Sequence, residues 1–79
     1  MRHIITTAAQ VGQILRSARR ARGLSQQEAG VRLGLSQNRL SELEKGAAGI
    51  SLAQLLAMTA LYGLQFEIAS RETPPQAEW

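Results

Sequence analysis

Four times along the chain a hydroxyl residue opens a short periodic stretch and a glycine closes it. Thr6 or Thr7 leads to Gly23, Ser25 to Gly34, Ser36 to Gly46 and Ser51 to Gly63. A Ser or Thr side chain accepts from a free backbone N–H of the first helical turn, and glycine takes up the left-handed conformation that ends a helix. Glu28 stands three residues after Ser25 as the second half of a capping box. Between these marks, Val11, Ile14, Leu15 and Ala18 recur at three- and four-residue spacing, as do Leu52, Leu55 and Leu56. The pattern predicts four short helices.

After Gly63 the period changes. Leu64, Phe66 and Ile68 alternate with Gln65, Glu67 and Ala69, the pattern of a half-buried strand, with a loop or a helix extension as the alternative. A lone strand is unstable, and the other β-like stretch, residues 3–6, is short. The economical solution is pairing of 64–70 with its own copy in a homodimer, through Leu64, Phe66 and Ile68. Residues 71–79 contain both prolines and end in Trp79, which predicts a flexible tail. The expected organisation is a helical domain over 1–63, a dimerising strand over 64–70 and a tail over 71–79.

The residue inventory narrows the chemistry. A chain of 79 residues buries only about 60% of its unfolded surface, so such domains lean on disulfides, metals or partner subunits. Cysteine and aspartate are absent and His3 is the single histidine. This excludes disulfides and thiolate zinc sites, predicts no metal or cofactor, and leaves no nucleophile–base set for an enzyme. No stretch approaches the ~20 apolar residues of a membrane span, and the start lacks a signal-peptide core. The expectation is a soluble, cytoplasmic protein that self-associates.

Charge is polarised. Residues 1–24 hold Arg2, Arg16, Arg19, Arg20 and Arg22 and no acid; residues 25–46 are neutral; residues 47–79 hold Arg71 against Glu67, Glu72 and Glu78. A basic end suits a polyanion, or is simply a solvated helix face. Tyr62, Phe66 and Trp79 all lie in the last part of the chain. The basic part therefore has no aromatic platform for single-stranded bases, so a nucleic-acid partner would be a duplex.

The second and third predicted helices, joined by a tight glycine turn, form a helix-turn-helix. Gly30, in mid-helix at a cost of about 1 kcal/mol relative to Ala, is read as permitting close approach of the third helix. Leu35, Leu40 and Leu43 fill the angle between the two. The opposite side of the third helix carries Gln37, Asn38, Ser41, Glu42 and Lys45. Gln and Asn bond both N7 and N6 of adenine in the major groove. Lys45, and Arg39 on the flank, suit phosphate, as does Gln26 at the start of the second helix. Glu42 is expected to pair with Lys45 or Arg39 three residues away.

The stretch LRSARRARGLSQQEAGVRLGLSQNRLSELEKG resembles the helix-turn-helix of the XRE (lambda- and 434-repressor-like) family. It matches that family's R-x-x-x-G-[LW]-[ST]-Q, A-x-x-x-G-x-S and [IL]-S-x-[IL]-E-x-G elements over about half the chain. The resemblance implies an all-α core of four helices, with Gln26 on phosphate and Ser36, Gln37, Asn38 and Ser41 at base-reading positions. It also implies a structural ion pair between Arg19 and Glu44. Two features depart from the pattern: Ala47, Ala48 and Gly49 offer only main-chain groups after the third helix, and Gly30 replaces a commoner Ala. The strand and the Trp79 tail resemble HipB-type antitoxins. That likeness implies a β-lid across a homodimer, repression at a palindromic operator and binding of a HipA-like serine/threonine kinase toxin. A stand-alone repressor and a protein-interaction module with a vestigial helix-turn-helix are the rival readings. For the tail, a protease signal and a segment without function stand beside partner binding.

Overall fold

The computed structural model describes residues 2–70. Four helices follow in order: α1 Ala8–Ala21, α2 Gln26–Leu33, α3 Gln37–Gly46 and α4 Leu52–Tyr62. Each start is a hydroxyl cap. The side chains of Thr7, Ser25, Ser36 and Ser51 accept from the backbone N–H three residues on, and Gln10, Glu28 and Gln54 complete capping boxes at α1, α2 and α4. The Glu28 carboxyl sits below its usual range because it accepts from the Ser25 backbone and is bonded to its hydroxyl.

Three helix ends share one device. Gly23, Gly34 and Gly63 have positive φ, and each is followed by a leucine whose N–H reaches the carbonyl five residues back. These bonds run from Leu24 to Arg19 (3.2 Å), Leu35 to Gly30 (2.8 Å) and Leu64 to Thr59 (2.8 Å). This is the Schellman closure, in which the residue after the glycine turns its apolar side chain inward. All three leucines pack against the core. α3 ends differently: Gly46 remains within the helix, and Ala47 takes the left-handed position at φ 51°.

The core is Leu15 of α1, Ala29 of α2, Leu40 and Leu43 of α3, and Met58 and Tyr62 of α4. α1 and α3 approach each other closely at Gly12. A Cβ at Gly12 would lie 2.8 Å from the carbonyl oxygen of Glu44 and 2.9 Å from that of Leu43. Gly30 is also sterically required, although its neighbour is the turn rather than α3: a Cβ there would lie 2.7 Å from the Leu35 carbonyl oxygen.

Among the described residues no strand forms. The Leu64 N–H already closes α4, and the rest of 64–70 finds no ladder partner within one copy. The expected strand is therefore absent from the single chain, and its pairing across a dimer belongs to the proposals below. Leu64 packs on the core, whereas Phe66 and Ile68 are exposed. Arg2 comes within 4.0 Å of Glu67, bringing the two chain segments that flank the helices together. Trp79 and the 71–79 tail lie outside the described residues.

Tyr62 is buried, and among the described residues its hydroxyl has no hydrogen-bond partner. Burial, reinforced by the Glu44 charge and opposed by Arg19, pushes its pKa up to about 12. Because the folded value exceeds the unfolded value of about 10, the folded state holds this proton more tightly. The resulting stabilisation is complete below pH 10 and is lost as pH rises through 12. Tyr62→Phe removes both the orphan hydroxyl and the titration. The variant should be at least as stable as wild type at pH 7, by up to about 1 kcal/mol, and lose less stability than wild type between pH 9 and pH 12. Urea midpoints at those two pH values check it; parallel losses in both proteins would refute the assignment.

Candidate nucleic-acid interface

α3 has a buried side and an exposed side. Leu40 and Leu43 face the core, while Gln37, Asn38, Glu42 and Lys45 are exposed and Ser41 is half-buried. The Ser36 hydroxyl accepts the Arg39 N–H at 3.0 Å, so its acceptor serves the helix start. Gln37 and Asn38 are the first two residues of α3, where side chains project past the helix end. The structure thus brings two adjacent amides to the leading edge of an exposed helix.

Behind this face lies a buried polar network. Arg19 Nε and Nη2 donate to Glu44 Oε2 and Oε1 at 2.6 and 3.0 Å, and Arg19 Nη1 donates to the Leu24 carbonyl at 2.7 Å. Both side chains are almost wholly buried. The hydrogen bond to Glu44 raises the Arg19 pKa above its ordinary value against the opposing effect of burial, so the guanidinium stays charged. Gln26 Nε2 donates to Glu44 Oε1 at 3.2 Å. One carboxylate therefore ties α1, α3 and the start of α2 together, and it fixes where Gln26 points.

Arg39 turns away from the exposed edge. Its Nη1 lies 3.6 Å from Glu42 and its Nη2 donates to the Gly49 carbonyl at 3.3 Å. In the free protein it braces the α3–α4 loop, and Glu42 finds its partner there rather than at Lys45. Lys45 points into an open cleft of about 370 Å³ lined by Gln13, Arg16, Gln26, Ser41, Glu44 and Lys45. In the sequence Arg16 stood out only as part of the basic end and Gln13 not at all, because α1 was judged by its apolar stripe. A three-residue spacing that places both on one exposed face was the further signal.

Residues 10–69 match the helix-turn-helix domain family. The chain belongs to that family. The match runs from Gln10 in α1 through the end of α4, supports the XRE-like kinship and makes this a DNA-binding domain. No curated protein matches the chain significantly. Among the described residues, no helix of the domain is long and apolar enough to cross a membrane, and no cluster of His, Cys, Asp or Glu could hold a metal ion.

Proposed function

We propose that this helix-turn-helix domain is a sequence-specific repressor that binds a palindromic operator as a homodimer, regulates its own operon and serves as the antitoxin of a HipA-like kinase. The observation that carries the DNA reading is the pair of exposed amides, Gln37 and Asn38, opening an α3 that is anchored from behind by Leu40, Leu43 and Glu44. α3 enters the major groove, where Gln37 and Asn38 bond adenine edges and Ser36 and Ser41 contact neighbouring positions. Lys45 and the second amide hydrogen of Gln26 bind phosphate. Arg39 reaches phosphate from the flank once it releases Gly49. Two copies place their third helices in successive grooves about 34 Å apart.

Apolar side chains left uncovered on one copy support self-association. Ile4 and Ile68 are 87% and 89% exposed, in the two segments that Arg2 and Glu67 bring together. Pairing of 64–70 between copies would cover Phe66 and Ile68. The antitoxin assignment rests on the likeness to HipB-type proteins and on Trp79, whose ring offers about 150–250 Å² for burial in a partner.

Gln37→Ala should cost about 1–3 kcal/mol at one base pair of the chain's own promoter and relax specificity there, as measured on single-base operator variants. Equal weakening on every variant would remove Gln37 as a base reader. Nuclease-treated pull-downs with and without residues 71–79 test the partner. Recovery of a kinase by the full chain alone supports the antitoxin reading and assigns the tail. Operator binding with no kinase recovered by either bait leaves the stand-alone repressor.

A further inference from the structure

We propose that Arg16, on α1, is a backbone-phosphate contact that works with Lys45 across the cleft beside α3; the inference rests on the DNA-binding reading above. Of the five arginines in residues 1–24, three are engaged within the fold. Arg19 is buried against Glu44, Arg22 Nε donates to the Tyr62 carbonyl at 3.1 Å, and Arg2 lies near Glu67. Arg16 and Arg20 are exposed, and of these two Arg16 lines the cleft. The ion pairs among the described residues join Arg2 to Glu67, Arg19 to Glu44 and Arg39 to Glu42. Neither Arg16 nor Lys45 belongs to one.

The floor of the cleft makes it a seat for an anion rather than a site of internal pairing. Glu44 is the acid that lines it, and both its oxygens are occupied by Arg19 and Gln26. Its charge is therefore neutralised by Arg19, which leaves Arg16 and Lys45 as the exposed cations of a lining that also holds the amides of Gln13 and Gln26 and the hydroxyl of Ser41. A phosphodiester offers anionic oxygens to the N–H and O–H donors of this lining, and a guanidinium can meet two of them at once. Ser41 and Lys45 belong to α3 as well as to the cleft. A strand whose bases are read by α3 therefore passes its phosphates over this opening.

The test is a salt titration with a fluorescent duplex of mixed sequence, which reports the electrostatic contacts alone. Arg16→Ala should weaken binding roughly five- to tenfold near 0.1 M salt and lower the slope of log K against log salt by about 0.9. Arg16→Lys should restore the slope, since a point charge releases the same counterion. Arg32→Ala is the charge-matched control, because Arg32 lines a separate surface with Gln27, Glu28 and Val31. A steep wild-type slope that Arg16→Ala leaves unchanged, or that Arg32→Ala lowers equally, would overturn the assignment of Arg16 while DNA binding stands. A wild-type chain with no salt-dependent binding would overturn both.

Discussion

Arg19→Ala or Glu44→Ala alone should destabilise the fold by about 3–5 kcal/mol, because each leaves an uncompensated charge in the interior. A domain of 79 residues has in total roughly 4–12 kcal/mol of stability, so either variant should lose a large share of it and melt far below the wild type. The effect exceeds that of an exposed ion pair, which is worth at most about 1 kcal/mol, because Arg19 and Glu44 are both buried and hydrogen-bonded twice to each other. Replacing the two together, Arg19→Met with Glu44→Leu, should recover most of the loss, since no lone charge remains. Thermal melts followed by circular dichroism decide the matter. Single variants melting within about 2 °C of wild type would show that the pair is solvated and contributes little. The recovered double variant should also bind duplex DNA more weakly, since Gln26 loses the carboxylate that orients it.

The second large effect is expected at Gly12. The α1 backbone there lies so close to the end of α3 that a β-carbon would be 2.8 Å from the Glu44 carbonyl oxygen, well inside van der Waals contact. The obstructing atom is backbone, fixed by the α3 helix and unable to rotate aside. Gly12→Val should cost about 3 kcal/mol through overpacking and by prising apart the two helices that carry Leu15, Leu40 and Leu43, half of the core. Gly46→Ala is the contrast. Nothing lies within 4 Å of the position where its Cβ would go, and it should be neutral or stabilising by up to about 1 kcal/mol. Urea midpoints for the two variants test this directly. If Gly12→Val kept the wild-type midpoint, α1 and α3 would have to pack further apart than they do here.

The helix plan was written into local relations. A hydroxyl and the N–H three residues later, or a glycine and the leucine that follows it, meet within one turn, so spacing along the chain predicts the contact. Ser25 with Glu28, Ser51 and Gly63 are of this kind, and so is the exposed side of α3, which follows from Leu40 and Leu43 facing inward. The resemblance of the motif supplied the one long-range expectation, the pairing of Arg19 with Glu44.

What tertiary structure alone decided has a common physical basis: it concerns groups far apart in sequence whose meeting depends on how helices cross. The need for glycine at position 12 arises from carbonyls more than thirty residues away. Arg22 is engaged by the end of α4, and Arg39 by the loop after α3, although both read as surface cations. Ala47, not Gly46, closes α3: its N–H bonds the Leu43 carbonyl and its side chain is buried, so the left-handed conformation that a Cβ disfavours is held by tertiary packing. Residues 64–70 carry a strand's alternation, yet alternation fixes only which side chains share a face. A ladder needs a neighbouring backbone, and within one copy the packing of four helices supplies none.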